Sequence, residues 1–554
     1  MLKKLWPILV FFVVALILLR SFLKPGFPHT HDGQSHIARL ANFHLAVIDR
    51  NFPIRWAPNL NYKFGYPVFN FNYYIPYVLA LVPGKLGFSF EDSFKIVFFL
   101  SLISGGFFWY LLLKEKWGKL PALVAGTFYM VAPYQLVNIL IRGSVGEIVG
   151  LGLLPFLLWS IQLLVNKPSR LNFSLTSLGA AVLFLTHNIT AVFGAPLLGI
   201  FGLVLVWQKK VWKNLVNLAL AFGLGIGMTL FFWIPALLEK KFTNMDMIEM
   251  SYEYVDHFPL LSQLIYSKWQ YGLSVLGPDD GFSFQLGPFH WLIAILAIVF
   301  FVKNYLKKKK FDYLFLFFLL VFLGSIVFMD QITLPIWRLI PMVRYIQFPW
   351  RLLGFAILGV AFLAGWFAKL YPKIGLMLAF LAFVYTLVIA KPSGGWFNWD
   401  NYFYYEWPFT SSIKGLNMPR WFSLEKNHEL KGKIFDFKGV ASIKELEWRT
   451  QRHIYQVNAS ADTEIWERIA YFPGWEVYVD GNKIEINYQQ EDYPGVITFP
   501  IPKGEHTIKT VFTENTKPRR LGNTFSLVSA TIFLGFVFLG KFPYTKSLDE
   551  KKPG

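Results

Sequence analysis

The sequence predicts an α-helical polytopic membrane protein of about twelve spans, with a small extracytoplasmic β-sandwich inserted before the last span. Three observations lead there. Apolar residues come in blocks of about 18 or more, long enough to cross a hydrocarbon core. Only 16% of the 554 residues are charged and 55% are hydrophobic, whereas soluble domains carry roughly 25% charged residues; the mean hydropathy is +0.42. From Trp448 onward the apolar period shortens to two, the period of a strand.

Composition removes several function classes. With no cysteines there can be no disulfide, thiolate zinc site or cysteine nucleophile. The net charge of +19 does not indicate nucleic acid, because the lysines and arginines cluster in short loops between spans, where topology alone accounts for them. No glycine-rich phosphate loop is present, which argues against nucleotide chemistry.

The basic loops orient the chain. Lys114–Lys119, Lys167–Arg170, Lys209–Lys213, Lys303–Lys310, Lys369–Lys373 and the tail from Lys541 are expected in the cytoplasm. The first block, Leu5–Leu19, follows Lys3-Lys4, lacks a small-residue cleavage site and reads as an uncleaved first span with its N-terminus inside. Further spans are expected near 94–113, 120–138, 148–165, 172–187, 190–207, 215–236, 290–303, 312–329, 351–368, 374–391 and 522–540. The division is thus a membrane module over 1–391, a β-rich domain over 392–521, and a last span with a basic tail over 522–554. Residues 68–88 are apolar but contain Pro76, Pro83 and many Asn and Tyr. An interfacial or re-entrant helix within the first outer loop (24–93) suits them better than a span. No internal repeat of the transporter kind is visible.

In the inserted domain, Trp475–Val479 alternates, Asp480-Gly481 supplies a turn, and Lys483–Ile486 alternates again, which predicts a hairpin. Val496–Phe499 and His506–Phe512 read as strands with Gly504 at the turn between them. The aromatic stretch Trp396–Trp407 is expected at the membrane surface. No acid/base pair stands out here, so a lid or carbohydrate-binding scaffold is the plainer reading of this domain.

Candidate chemistry lies in the outer turns. Asp32, in His29-Thr-His31-Asp32-Gly-Gln-Ser-His36-Ile-Ala-Arg39, follows the first span at headgroup depth, where its carboxylate could take a proton from an acceptor hydroxyl. A helix starting there, with Asp32 as N-cap, sets His36 and Arg39 on nearby turns; the bland alternative is a capped amphipathic surface helix. Arg142 and Glu147 share a short outer turn. There Arg142 could bind phosphate and Glu147 could orient substrate or assist Asp32, or the two could simply pair. His187 ends another span at matching depth, as a site residue or a structural hydrogen-bonder. Arg338, Arg344 and Arg351 lie outside, against the charge rule, which suits a lipid phosphate or, more plainly, headgroup anchoring with Trp350 in an aromatic belt. Among Glu239, Asp246, Glu249, Glu253, Asp256, Asp279 and Asp280 most carboxylates are expected to be solvated. His29, His31, Asp32, His36 and His44 match no compact zinc spacing. No metal site is assigned, although Asp32 with Glu147 could hold Mg²⁺ or Mn²⁺.

Taken in order, these motifs resemble the GT-C superfamily of polytopic glycosyltransferases. More closely they resemble the bacterial YfhO-type proteins and the group misleadingly labelled pyruvoyl-tetrahydropterin-synthase-related. The resemblance rests on Asp32-Gly-Gln-Ser-His36, the Gly65-Tyr-Pro67 to Tyr74 aromatic run, and Arg142-Gly-x-x-x-Glu147 with Leu153-Leu-Pro155. Gln347-Phe-Pro-x-Arg351, Phe472-Pro-Gly-Trp475 to Asp480-Gly481, and Gly504-Glu-His506 complete it. It implies a GT-C-like fold and transfer of a sugar, with inversion, from a polyprenyl-phosphate donor to a cell-envelope glycan, lipid or protein at the outer face of the cell membrane. Asp32 would be the base, with Glu147 and His36 beside it. Arg39, Arg142, His187, Arg344, Gln347 and Arg351 would hold substrate or lipid phosphate. The chain lacks the Asp-x-Asp of some family branches. The competing readings are a lipid-linked glycan transporter or flippase without bond-making chemistry, and an assembly scaffold.

Overall fold

The apolar blocks do fold into helices. A computed structural model of the chain describes residues 2–245, 254–309, 311–340, 343–410, 415, 417–436 and 438–538. Seven helices among the described residues are long and apolar enough to cross a membrane: Phe90–Trp117, Val145–Asn166, Asn188–Lys209, Pro288–Lys308, Pro349–Leu370, Pro372–Ile389 and Lys517–Phe538. Three further candidates are bent helix pairs: Lys119–Met130 with Pro133–Arg142 (42°), Asn214–Gly227 with Leu230–Leu238 (62°), and Tyr313–Phe328 with Gln331–Leu339 (87°). The first bend has a local cause, since Ala132 is extended before Pro133, as residues preceding proline prefer.

Seven to ten spans is fewer than the expected twelve. The two blocks that fall short are the first, whose apolar helix covers only Trp6–Leu18, and Arg170–Phe184, a helix of 15 residues. At about 1.5 Å per residue that second helix is shorter than a hydrocarbon core of about 30 Å. Residues 68–88 form two short helices, Val68–Phe71 and Ile75–Lys85, and no span.

The Phe90–Trp117 helix packs against both Lys119–Met130 and Val145–Asn166. It comes so close to the latter that a Cβ on Gly152 would lie 2.5 Å from the Ser101 carbonyl; small residues are what permit such helix approaches. The helix Gly33–Ile48 is buried along most of its length, so it belongs to the core and is not an amphipathic surface helix. Just before it, β1 (Phe27–Pro28) pairs antiparallel with β2 (Trp396–Phe397), tying the segment before Gly33–Ile48 to the segment after Pro372–Ile389.

The inserted domain has two sheets. Its strands are β3 (Ile434–Asp436), β4 (Ala441–Trp448), β5 (Arg452–Ala459), β6 (Thr463–Ala470), β7 (Trp475–Val479), β8 (Asn482–Ile484), β9 (Val496–Ile501) and β10 (Gly504–Phe512). One sheet runs β4-β5-β10-β7-β8 and the other β3-β6-β9. Tyr455, Val477 and Ile508 of the first share a core with Ile465, Ile497 and Phe499 of the second. The β7–β8 hairpin turns at Asp480-Gly481 as expected, with both residues at positive φ. β9 and β10 do not form a hairpin: β9 pairs with β6, while β10 lies between β5 and β7.

A buried ionic network joins this domain to the helices. Arg55 donates to Glu514 (2.6 and 2.8 Å) and to Asn70 (2.9 Å), Asn70 donates to Glu239 (2.9 Å), and Arg519 donates to Glu239 (3.1 Å). Glu239, grouped by sequence with solvated carboxylates, is therefore buried and paired. Asp246, Glu249 and Glu253 lie outside the described residues.

Candidate functional site

Two motifs far apart in the chain meet through their backbones. The Pro133–Arg142 segment ends in a wide turn, and Gly143 follows in the left-handed region with φ of 66°. The His31 N–H donates to the Ile141 carbonyl (3.0 Å) and the Asp32 N–H to the Arg142 carbonyl (2.8 Å). A Cβ on Gly143 would lie 2.3 Å from Thr30 Oγ1 and 2.8 Å from the Gly33 nitrogen. Glycine at 143 is thus required by both its φ and this approach. Asp32 occupies the N-cap position, yet its side chain makes no capping hydrogen bond; the Gly33 N–H donates to Thr30 Oγ1 instead (3.1 Å). Thr30 therefore satisfies the end of the helix, and the negative charge of Asp32 acts on His31, His36, Arg142 and Arg351.

Glu147 is buried at the centre of a cationic cluster. Its Oε2 accepts from Arg142 Nη1 at 2.7 Å and faces Arg351 Nε at 3.8 Å. Its Oε1 accepts from the Tyr134 hydroxyl and, at 3.5 Å, from Asn138 Nδ2. Arg142 also donates to Asn138 Oδ1, and its guanidinium lies 4.6 Å from the centre of the Trp350 ring. Trp350 is buried there, stacked on Phe284 and Phe348, and is not a headgroup anchor. Tyr134, Asn138 and Arg142 stand at i, i+4 and i+8, a polar stripe that their spacing in an otherwise apolar run could have revealed.

Arg351 donates from Nη1 to Gln347 Oε1 (2.8 Å) and to the Ile346 carbonyl (3.0 Å), with Gln347 at a φ of 66°. Its buried Nε has no hydrogen-bond partner. His187 caps its own helix, its Nδ1 lying 2.7 Å from Thr190 Oγ1. Glu147, His187 and Arg351 line a small cavity together with Leu151, Phe193 and Phe355. Of Arg338, Arg344 and Arg351, Arg351 enters the site and Arg338 is exposed. The side chain of Arg344 lies outside the described residues.

His36 sits between two tyrosines, Nδ1 at 3.0 Å from the Tyr77 hydroxyl and Nε2 at 3.4 Å from that of Tyr73. Burial, with Arg39 nearby, lowers its pKa to about 3, so the imidazole is neutral. Tyr73 reaches His187 on its other side (5.7 Å between rings) and lies over Gly146, where a Cβ would touch its ring at 2.3 Å. Arg39 donates to the Thr410 carbonyl (3.3 Å), to which the Tyr66 hydroxyl also donates (2.7 Å).

The histidines do not gather. His29 and His31 meet Tyr271, His36 meets Tyr73 and Tyr77, and His44 meets Tyr405. No group of three His, Asp or Glu suited to a metal occurs among the described residues. Both oxygens of Glu147 are engaged by Tyr134, Asn138 and Arg142, with Arg351 at 3.8 Å. A divalent cation bridging Asp32 and Glu147 would have to displace those donors, so the pair does not fit that role.

A family model described as the 6-pyruvoyl-tetrahydropterin synthase related domain, membrane protein, matches residues 71–399. That stretch holds Arg142, Glu147, His187 and Arg351, but neither Asp32 nor the β-sandwich. An uncharacterized protein of Lactococcus lactis subsp. cremoris (strain MG1363) is 25% identical over 232 residues, 40% of this chain and 37% of the relative. Two cryo-EM structures of arabinofuranosyltransferase AftD from Mycobacteria are similar, with TM-scores of 0.41 and 0.40 and identities of 14% and 15%. The similarity covers 70% and 69% of this chain but only 28% and 26% of theirs. The apo crystal structure of the Archaeoglobus fulgidus oligosaccharyltransferase gives a TM-score of 0.32 and 14% identity over 75% of this chain and 57% of that one.

Proposed function

The chain belongs to the 6-pyruvoyl-tetrahydropterin synthase related family of membrane proteins, and from that premise we propose that it is a membrane glycosyltransferase of GT-C type. It moves a sugar, with inversion, from a polyprenyl-phosphate donor to a cell-envelope glycan, lipid or protein on the outer face of the cell membrane. The observation that carries this reading is the hydrogen bond from the Asp32 N–H to the Arg142 carbonyl, which brings Asp32 to the buried cluster of Arg142, Glu147 and Arg351. The small cavity lined by Glu147, His187 and Arg351 marks where the phosphate end of an isoprenoid donor would enter. The phosphate would sit against Arg142 and Arg351, with the Arg351 Nε able to donate to it, and the chain would lie along Phe193 and Phe355.

In the proposed step an acceptor hydroxyl attacks the anomeric carbon from the face opposite the phosphate. Its proton passes to the Asp32 carboxylate. The bond from the anomeric carbon to the phosphate oxygen breaks, and its electron pair stays on that oxygen, where the arginines stabilise the charge. Glu147 is a positioning residue that holds Arg142 and Arg351, and His36 positions Tyr73 and Tyr77. The test is donor breakdown and sugar transfer by the purified chain in nanodiscs, over a panel of polyprenyl-phosphate sugars with envelope extracts as acceptors. Turnover supports the reading. Tight donor binding with no bond broken in any lane would identify a lipid-linked glycan transporter instead.

A further inference from the structure

Asp32 has unlike surroundings on its two sides. One side holds the cluster of Arg142 and Arg351. The other holds Tyr271, whose hydroxyl is 3.1 Å from His29 Nδ1 and whose ring centre is 5.0 Å from that of His31. Tyr271 is 36% exposed and His29 is exposed. Lys24, Lys268 and Lys391 are exposed on neighbouring segments: Trp269, beside Lys268, donates its indole N–H to the Lys391 carbonyl (2.7 Å), and Lys24 lies 3.9 Å from the Trp396 ring. Ammonium groups at such a rim face water, not hydrocarbon.

The backbone holds Tyr271 there. A Cβ on Gly394 would lie 2.7 Å from Tyr271 Cδ2 and 2.4 Å from the His29 carbonyl oxygen, so this glycine lets the ring settle against the β1 segment. Gly272 and Gly281 approach so closely that a Cβ on Gly272 would lie 2.8 Å from the Gly281 Cα, and the Gly281 N–H donates to the Leu273 carbonyl (2.7 Å). This narrow loop presents Tyr271 on one leg and Phe282 on the other, and both meet His31 (5.0 and 5.4 Å). Phe282 then contacts Trp350 (5.3 Å), which carries Arg142. A row of contacts thus leads from the wet rim to the phosphate-binding end.

We infer that Tyr271 and His29 form the acceptor subsite, holding a hydroxyl-bearing saccharide or polyol so that its reacting oxygen reaches Asp32 from the water-facing side. This rests on the glycosyltransferase reading and adds the acceptor's chemical class and the residues that select it. A phenol beside an imidazole offers one hydroxyl both a donor and an acceptor, and an exposed tyrosine ring offers the apolar face of a sugar a surface. Burial and the Asp32 charge both raise the Tyr271 pKa, which keeps the phenol a donor.

The experiment uses the full chain in nanodiscs, a donor that the wild type breaks down, and glycerol and octyl glucoside as acceptor probes. Tyr271→Phe removes one hydroxyl. The acceptor KM should rise about tenfold, the worth of one hydrogen bond, while kcat moves by less than about twofold. Gly394→Ala, which pushes the ring aside and leaves its hydroxyl intact, should shift KM in the same direction and serves if Tyr271→Phe does not fold. A loss confined to kcat, or no change in acceptor KM, would overturn the assignment. So would a wild type that breaks down donor with water yet passes sugar to neither probe, a result that leaves the donor chemistry standing. Absence of any donor breakdown would remove the glycosyltransferase reading itself, and the subsite with it.

Discussion

The N–H of Asp32 donates to the carbonyl of Arg142 at 2.8 Å, so the base proposed for the reaction and the arginine proposed for the phosphate share one peptide contact. The geometry of the candidate site is set by the main chain, and Gly143, which allows the two segments to meet, is as much part of it as the charged groups.

Gly143→Ala tests that dependence. The new methyl would meet Thr30 Oγ1 and the Gly33 nitrogen, and alanine resists the left-handed φ of 66°. A loss of about 2 kcal/mol or more in stability is expected, together with weaker donor binding. Thermal unfolding and a donor titration would check it, and a variant with wild-type melting and affinity would contradict the account.

Glu147→Gln should hurt stability before chemistry. It keeps the shape but leaves Arg142 and Arg351 without their buried counter-charge. Breaking such a pair costs roughly 3–5 kcal/mol, so the melting temperature should drop sharply. Wild-type melting with activity abolished would instead make Glu147 a direct participant in the reaction.

The His36 pKa of about 3 in the fold, against 6.5 unperturbed, has a signed consequence. Between these values the unfolded chain binds a proton that the folded chain does not. The contribution of His36 is therefore complete above about pH 6.5 and is lost as the pH falls toward about 3. His36→Asn should flatten the acid limb of stability, measured as melting temperature from pH 7 to 4. An unchanged limb would show that the fold does not depress the His36 pKa.

Much of this was legible in the sequence, and what was not has physical reasons. Hydropathy and loop charge singled out Asp32, Arg142, Glu147, His187 and Arg351, since a polar group at a span's end is costly unless it is used, and the structure brings Arg142, Glu147 and Arg351 together. For the helix Gly33–Ile48 the sequence left a surface element open as an alternative, because it shows an apolar face but not what covers the polar one. Its His36 is covered by Tyr73 and Tyr77, which hydropathy counts merely as part of an apolar block. The link between Glu239 and Arg519 joins a helix end to the last helix, and nothing local marks it. That β9 and β10 lie in different sheets was not legible, because strand period and a glycine turn cannot tell a hairpin from a crossover between sheets.

The central claim is that Asp32 removes the acceptor proton, and Asp32→Asn measures it most directly. The amide nearly matches the carboxylate in shape but cannot take a proton at neutral pH. The side chain makes no capping hydrogen bond, so the helix start should survive. The account predicts near wild-type melting and donor affinity with transfer reduced by about 10² to 10⁴, the range of general-base catalysis. Transfer at the wild-type rate in a folded, donor-binding Asp32→Asn protein would contradict it.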